Sequence, residues 1–338
     1  MSEPITREPV VQEQEFAKPQ PKTRTVALRR TLRGQGLFLM LLILIVVFTT
    51  QSPHFFTLSN LWVVLGSSAV LGLMALPQTI LVISGGIDLS VGSVVSLSSI
   101  LVGTAVSAGL SPWIGAGLAI LVALVVGGLN ALIAIGLGIN PLITTLGMLS
   151  VVQGMAYLIA NAQTFLIDDD SFYFLGSGKA GPVPFTFILF AIAFLIYLFV
   201  ERKTTYGRAI YAIGSNIEAA RLSGIRVRPI SISLYLTSSL AGGIGGVILA
   251  SQLGAASADV GLAYQLSVVT AVILGGASLT GGRGTVIGTL VAVLILGVLQ
   301  NGFALLGMSA YVQTIALGAA LIIAVLLDQL TRRMERRR

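Results

Sequence analysis

Y-G-R-A-I-Y-A-I-G-S-N-I-E-A-A-R-L-S-G-I-R-V, residues 206–227, is a polar and basic interruption in a chain that is otherwise strongly apolar. Within it, Ser215-Asn216-Ile217-Glu218 matches the S-x-x-E capping box, in which a hydroxyl and a carboxylate satisfy free backbone N–H groups at a helix start. Gly224 stands where a left-handed residue closes a helix, and Pro229 suits the first turn of the next one. The stretch predicts a short helix capped at both ends, which we interpret as a docking element.

The composition around this stretch indicates an all-α, polytopic integral membrane protein. Hydrophobic residues make up 55% of the 338 residues, charged residues only 10%, and the mean hydropathy is +0.95. A water-soluble domain of this size carries charge throughout. Between residues 34 and 200, charge is confined to Asp88, Asp168, Asp169, Asp170 and Lys179. The 39 glycines suit closely packed transmembrane helices, and the absence of cysteine excludes disulfides and thiol chemistry.

The apolar segments predict about ten transmembrane helices, some of them short or broken. They run over 36–50, 61–83, 91–108, 113–135, 141–160, 185–200, 230–251, 265–275, 286–306 and 311–327. The first, sixth and eighth are short against the ~20 residues that a straight span needs. We expect the eighth to be a partial or broken helix.

Basic residues predict the orientation of these spans. With ten spans, 19 of the 20 Lys and Arg residues fall on one side, which the positive-inside rule makes cytoplasmic, and Lys179 falls on the other. The predicted organisation is a largely disordered cytoplasmic tail at 1–34, a transmembrane domain at 35–329 with the cytoplasmic connection 201–228, and a basic tail at 330–338. The net charge of +7 then reflects topology and anionic lipid headgroups, and it does not indicate nucleic acid.

Two glycine-rich stretches break the apolar pattern, S-G-G-I-D-L-S-V-G-S at 84–93 and L-G-G-A-S-L-T-G-G-R-G at 274–284. Aligned at an offset of 190, they share Gly-Gly, Leu and a hydroxyl residue, and Val-Ile precedes each of them at 82–83 and 272–273. Transporters use such breaks to present helix ends to a substrate. The alternative is two tight turns, with Asp88 as the N-cap of the third span, and that interpretation is favoured. Asp88 has no charged partner in the neighbouring spans, which argues against proton coupling.

Catalytic, cofactor and metal sites are not predicted. The chain has no Walker motif, no H-E-x-x-H pattern and a single histidine, His54, placed at the end of a span. Polar residues within the spans, such as Gln78 and Asn130, favour hydrogen bonding between helices. As a set, these uncharged amides and hydroxyls suit a neutral, hydroxyl-rich solute.

Six stretches, in order along the chain, resemble the membrane permeases of bacterial ABC importers for ribose and related monosaccharides, a class that also moves xylose, arabinose, galactose and autoinducer-2. They are S-P-H-F-F-T-L-S-N at 52–60, G-G-I-D-L-S-V-G-S at 85–93, N-P-L-I-T-T-L-G-M at 140–148, G-R-A-I-Y-A-I-G-S-N-I-E-A-A-R-L-S-G-I at 207–225, V-I-L-G-G-A-S-L-T-G-G-R-G at 272–284 and G-T-L-V-A-V-L-I-L-G-V-L-Q-N-G at 288–302. Each match alone has low specificity, whereas six matches in the same order along the chain are specific.

The resemblance implies partners and a coupling site. In such importers two permeases, identical or paired homologues, form the pore in the bacterial inner membrane. ATP-binding subunits sit on the cytoplasmic face, and a periplasmic sugar-binding protein delivers the substrate. Residues 214–224 would be the coupling helix, with Glu218, Arg221 and Ser223 as polar contacts to the ATPase. The residues implied in coupling are Gly214, Ser215, Asn216, Glu218, Ala219, Ala220, Arg221, Ser223 and Gly224. The Leu-Pro element of the wider importer pattern is missing, which leaves the contact geometry open.

The same resemblance implies residues that line or shape a translocation path. They are Gly86, Asp88, Ser90, Gly92, Asn140, Thr144, Gly275, Gly276 and Ser278. Structural turns remain the alternative for both glycine-rich stretches. Two other functions also stay open, an ABC permease for a different small solute (a branched-chain amino acid or a nucleoside) and an ion-coupled secondary transporter.

Overall fold

The structure is a computed structural model that describes residues 23–316 together with 318, 319, 322 and 326. The predicted C-terminal tail at 330–338 and the first 22 residues of the predicted N-terminal tail lie outside these residues. The remainder of that N-terminal tail belongs to the first helix, α1, which runs over Thr23–Gln51. All packing described below lies within one compact unit, Leu37–Arg338.

The fold is all-α with very little sheet. The helices after α1 are α2 (Leu58–Ile83), α3 (Val91–Ser107), α4 (Pro112–Ala131, continued by a π-helical turn at Leu132–Gly136), α5 (Pro141–Ala160), α6 (Asp170–Ser177), α7 (Phe185–Lys203), α8 (Thr205–Ser215), α9 (Ile217–Leu222), α10 (Val227–Leu253), α11 (Leu262–Leu274) and α12 (Val286–Leu305). Residues 310–316 are also helical. The strands are β1 (Phe165–Leu166), β2 (Lys179–Ala180), β3 (Val183–Pro184) and β4 (Ala255–Ala256).

Side-chain caps and prolines set several helix starts. Thr57, Ser111, Asn140 and Thr285 each accept a backbone N–H from the first turn of α2, α4, α5 and α12. Pro112 and Pro141 then occupy first helical positions, where a missing N–H has no cost.

The described residues contain six helices long and apolar enough to cross a membrane, namely α2, α4 with its π-helical turn, α5, α7, α10 and α12. Three shorter apolar helices accompany them, Gly36–Gln51, α3 and α11. The prediction of a polytopic membrane protein is confirmed. The eighth segment is indeed short, whereas the sixth is a full-length helix because α7 continues to Lys203. The tenth segment lies partly outside the described residues.

The buried core centres on α2, α3 and α10. α2 is buried on nearly every side, whereas α5 and α7 are largely exposed. The glycines of A-G-G-I-G-G at 241–246 lie where α10 meets α2, α3 and α4. Large apolar side chains such as Ile143, Leu158, Leu195 and Phe199 cover the outward faces of α5 and α7. That arrangement, polar and small residues inside with bulky apolar residues outside, suits a lipid surrounding.

The two ends of the helix bundle differ. One end carries α6 and two short antiparallel pairs, β1 with β4 and β2 with β3. There the Asp169 carboxylate caps α6, and the Ser171 hydroxyl and the Phe172 N–H hold the pKa of Asp169 below its ordinary value. The other end carries the 201–228 connection with its six Lys and Arg residues, and we call it the basic end.

Candidate functional site

The connection at the basic end contains two helices, α8 and α9, where the sequence predicted one. α8 begins after Thr204, whose hydroxyl accepts the Gly207 N–H at 3.0 Å. Ile210 and Ile213 are buried on its inner face. Together with Tyr206 they follow the i, i+4, i+7 spacing of an amphipathic helix. The sequence therefore held a signal for α8 that the prediction of a single short helix missed.

The N-cap of α9 is Asn216, and the predicted capping box led by Ser215 is wrong. Asn216 Oδ1 accepts the Ala219 N–H at 3.0 Å, and the backbone of Asn216 is extended (φ −160°, ψ 109°). Ser215 still belongs to α8, and its hydroxyl donates to the Tyr211 carbonyl at 2.7 Å. Because the cap lies one residue later than predicted, Glu218 is at the second helical position and cannot complete the box.

The predicted close of α9 at Gly224 is confirmed. Gly224 has a φ of +79°. Its N–H donates to the Arg221 carbonyl at 3.0 Å, and the Ile225 N–H donates to the Ala220 carbonyl at 3.1 Å. These two bonds form a Schellman motif, which satisfies the last carbonyls of the helix and strongly favours glycine at the left-handed position. α9 is thus capped at both ends.

α9 presents an apolar and charged surface to the outside. The exposed fractions are 55% for Ile217 and 86% for Leu222. Glu218 and Arg221 form an exposed ion pair with a 3.4 Å N–O distance, which contributes little stability of its own. Ala220, by contrast, is buried and holds the helix against the bundle. The exposed side of α9 thus carries two apolar side chains and one ion pair.

The residues that the sequence assigned to coupling divide into two groups. Ser215, Asn216, Glu218, Ala219, Arg221, Ser223 and Gly224 are exposed, and Gly214 and Ala220 face the protein.

Gly214 packs directly on the backbone of two other segments. A methyl group at this position would lie 1.9 Å from the Ile83 carbonyl oxygen and 2.6 Å from the Gly282 nitrogen. Ile83 ends α2, and Gly282 belongs to the segment between α11 and α12. The C-terminal part of α8 therefore touches the second glycine-rich break and the end of α2, immediately before the first break, with no side chain between. We call this contact of Gly214, Ile83 and Gly282 the glycine junction.

The two breaks begin with the same backbone motif, one residue out of step with the predicted alignment. Gly85 (φ +89°) and Gly276 (φ +92°) are the left-handed residues that follow α2 and α11. Each is part of a Schellman motif, completed by Gly86 N–H to the Leu81 carbonyl at 3.0 Å and by Ala277 N–H to the Val272 carbonyl at 3.1 Å. The structural offset is 276 − 85 = 191. The residue letters match at an offset of 190, and the left-handed glycines match one residue further on.

Asp88 lies at the centre of a buried polar group. Its Oδ1 accepts the Ser90 N–H at 2.9 Å and the Ser90 hydroxyl at 2.6 Å, and its Oδ2 accepts the Ser238 hydroxyl at 2.9 Å. Gln78 Nε2 donates to the Asp88 carbonyl at 3.1 Å, and Asn130 Nδ2 donates to Ser90 Oγ at 2.9 Å. All five residues are fully buried. The group joins α2, α4 and α10 to the first break.

Asp88 does not act as the N-cap of α3. The N-cap is Ser90, which makes no side-chain cap bond, and the Asp88 carboxylate accepts the N–H of Ser90 itself. The prediction of a turn is right in kind, since this bond makes a local turn, but the carboxylate also bonds across to α10 through Ser238. Ser238 was not singled out from the sequence, because it stands in the run Thr237-Ser238-Ser239 and nothing in that run indicates which hydroxyl bonds Asp88.

The remaining path candidates are spread over three places. Gly86, Gly275, Gly276 and Ser278 lie in the two breaks, and Ser278 is buried with its hydroxyl 3.1 Å from that of Thr280. Gly92 packs on Gly261 and Gln265 at the start of α11. Asn140 is exposed and caps α5, and Thr144 is buried on the same helix. Neither α5 residue is hydrogen-bonded to the Asp88 group within residues 23–316.

Two side chains at the basic end were not singled out from the sequence, Glu201 and Tyr211. Glu201 is buried at the end of α7, and Tyr211 on α8 donates to it at 2.7 Å. The available signal was that Glu201 is the single carboxylate in the sequence between Asp170 and Glu218.

A cleft of about 500 Å³ opens between α8 and the start of α10. Tyr206, Ala209, Ile225, Arg226 and Ile230 are among its lining residues. Burial raises the pKa of the Tyr206 phenol, whose oxygen lies 2.6 Å from Ser233 Oγ. Within the described residues there is no group of three or more His, Cys, Asp or Glu side chains that could hold a metal ion.

Comparison with known proteins gives one family. Residues 60–326 match the family described as "Branched-chain amino acid transport system / permease component". The chain is 37% identical over 296 residues to the ribose import permease protein of Bacillus subtilis (strain 168), covering 87% of this chain and 92% of that protein.

Two further relatives match over nearly their whole length. The ribose import permease protein of Escherichia coli (strain K12) is 35% identical over 315 residues, covering 90% of this chain and 98% of the relative. The L-arabinose ABC transporter permease protein of Azospirillum brasilense is 33% identical over 301 residues, covering 89% of each. No solved structure matches the chain.

Proposed function

The chain belongs to the family of branched-chain amino acid transport system / permease components, which includes the ribose and arabinose permeases, and from that premise we propose that it is the permease subunit of an ATP-driven monosaccharide importer. The cargo class is a ribose-like pentose or a related sugar. The chain forms the membrane pathway and takes no part in chemistry, since ATP hydrolysis belongs to a partner subunit.

The similarity to permeases of ribose and arabinose over most of the chain is the observation that carries this proposal. It extends through both breaks and α9, so it includes the parts that would move as well as the spans. An ion-coupled secondary transporter has no such support.

The basic end is the proposed docking site of the ATP-binding subunit. α9 is stabilised by caps at both of its ends, and it exposes Ile217, Leu222 and the Glu218–Arg221 pair. A capped helix with this surface suits a groove on a partner whose closure tilts the bundle. The basic end is then cytoplasmic, in contact with anionic lipid headgroups at its rim, and both termini are cytoplasmic.

Two further partners complete the proposed importer. A periplasmic sugar-binding protein docks at the opposite end, which carries α6 and the short strand pairs. A second permease, either a copy of this chain or a paired homologue, forms the other half of the pore in the bacterial inner membrane.

The two breaks are the proposed moving parts of the pathway. Gly86, Ser90, Gly92, Gly275, Gly276 and Ser278 would line or shape it, together with Asn140 and Thr144 on α5. For Asp88 we propose a structural role in shaping the pathway, since both of its carboxylate oxygens already accept hydrogen bonds from neighbouring residues.

Purification of the chain from its native membrane in mild detergent tests the assignment. We expect an ATP-binding subunit to remain bound, and to be lost when residues 214–224 are altered. Cells should take up radiolabelled ribose, xylose or arabinose only with the intact chain and ATP. A chain that purifies alone and moves solute without ATP would contradict the proposal. Uptake of leucine in place of the sugars would favour the second candidate, a branched-chain amino acid permease, which the family description names.

A further inference from the structure

Glu201 is a buried carboxylate that joins three elements at the basic end. It lies in the last turn of α7 and is 9% exposed. Its Oε1 accepts the Tyr211 hydroxyl of α8 at 2.7 Å, and its Oε2 accepts the Val286 N–H at the first position of α12 at 3.2 Å. The Tyr211 hydroxyl also lies 2.8 Å from the Gly284 carbonyl oxygen, in the second break.

The chemistry of these contacts makes the attachment strong. A buried carboxylate is costly unless donors surround it, and hydrogen bonds to a charged group are stronger than those between neutral groups. The N-terminus of α12 adds a favourable dipole for an anion. Glu201 therefore binds where α8 and α12 both supply donors, and moving either helix away would leave the carboxylate under-bonded.

The attachment has a second point nearby on the same helix. Gly214, about one turn after Tyr211, rests on the Ile83 carbonyl and the Gly282 nitrogen in the glycine junction. A helix held at two points on one face cannot roll or slide freely over its support. Tyr211 and Gly214 thus attach α8 at two points to the second break and to the end of α2, and α9 follows directly after α8.

We propose that Glu201 and Tyr211 are positioning residues of the importer, which fasten α8 to the start of α12 so that a displacement of α9 reaches both glycine-rich breaks. This proposal rests on the proposed function, since the ATP-binding partner supplies the displacement. Glu201 contacts neither cargo nor ATP. Without the attachment, α8 and α9 would move on the surface while the breaks stayed in place.

A transport assay with the purified importer tests the proposal through the amount of ribose carried per ATP hydrolysed. We expect this ratio to fall roughly fivefold or more in Glu201→Ala, the scale of a lost coupling between sites, with binding of the ATPase and basal hydrolysis retained. In Tyr211→Phe the ratio should fall less, because the Val286 N–H still donates to Glu201. The ratio for Glu201→Gln should lie between those of wild type and Glu201→Ala, since the amide keeps one oxygen as an acceptor. Leu195→Ala, an exposed change on the outward face of the same helix α7, is the control and should match wild type.

A distance measurement separates positioning from a merely structural role. The chain contains no cysteine, so Arg208→Cys on α8 and Leu279→Cys in the second break, both exposed, accept spin labels without removal of native thiols. In wild type the distance between the labels should stay constant when a non-hydrolysable ATP analogue binds the complex. In Glu201→Ala and Tyr211→Phe it should change or broaden with the analogue. The same complex, assembled with the cysteine-free chain and treated with the label, gives the background signal.

The outcomes are distinct for the two proposals. A wild-type label distance that shifts with the analogue, or variants that keep both the wild-type ratio and the wild-type distance, would overturn the attachment while leaving the importer assignment intact. A wild-type chain that binds no ATP-binding subunit would overturn both. If Glu201→Ala fails to reach the membrane, Tyr211→Phe decides alone, since it removes a single hydroxyl.

Discussion

The Gly282 N–H donates a 2.8 Å hydrogen bond to the Ile83 carbonyl oxygen, so the second glycine-rich break is joined directly to the end of α2, one residue before the first break. Gly214 of α8 covers this bond from the basic end. The breaks therefore share one support, and a change in α8 acts on both of them.

Gly214→Ala should disrupt the glycine junction. The added methyl group would lie 1.9 Å from the Ile83 oxygen, so α8 must shift away from both breaks. We expect ATP-dependent uptake to fall at least tenfold, on the order of a coupling free energy of 1–3 kcal/mol. Gly117→Ala on α4 is the control, because no atom of the described chain lies within 4 Å of its methyl group. Equal uptake in the two variants would contradict the role of the junction.

Asn216→Ala should weaken α9 more than Ser215→Ala. Asn216 makes the cap bond in the structure, and loss of an N-cap side chain costs about 1 kcal/mol. Hydrogen exchange at the Ala219 amide measures the effect directly, and retention of the ATP-binding subunit measures its consequence. Asn216→Asp should behave as wild type, since aspartate caps equally well. A larger effect of Ser215→Ala than of Asn216→Ala would instead support the capping box that the sequence predicted.

Gly224→Val should uncouple transport while the chain still folds in the membrane. The left-handed backbone at φ +79° costs a residue with a Cβ about 1–2 kcal/mol, and a β-branched side chain more. The strain would open the last turn of α9. Gly307→Val, at φ +70° beyond the end of α12, carries similar strain away from the basic end and should keep its coupling. The ratio of uptake to ATP hydrolysis is the measurement, and normal uptake by Gly224→Val would argue against α9 as the coupling helix.

Asp88→Asn should be tolerated and Asp88→Leu should not. The amide keeps one oxygen for Ser90, and its NH₂ group can donate to Ser238, so we expect a loss of about 1 kcal/mol. Leucine leaves several buried donors without acceptors, each costing about 1–3 kcal/mol. Thermal unfolding in detergent, followed by uptake, measures both, with the exposed Asp168→Asn as control. Abolished uptake by a stable Asp88→Asn variant would instead indicate a direct role for the charge.

Much of the fold could be predicted from the sequence because the length of an apolar segment is a local quantity. Gly224 was predictable for the same reason, since a helix end needs a left-handed residue. The cap at Asn216 was not, because Ser215 and Asn216 are both good caps and only the backbone decides between them. Glu201 was missed because the Val286 N–H that it accepts lies 85 residues further along the chain. Hydrogen bonds over such separations leave no pattern in a single sequence.

Asn216 is both the C-cap of α8 and the N-cap of α9, so one residue ends the first helix and starts the second. No spare residue separates the two helices. Inserting one residue into α8 would turn the surface of Ile217 and Leu222 by about 100° around the helix axis, away from any partner shaped for it. The connection is thus constrained in its length as well as in the side chains that it presents to a partner.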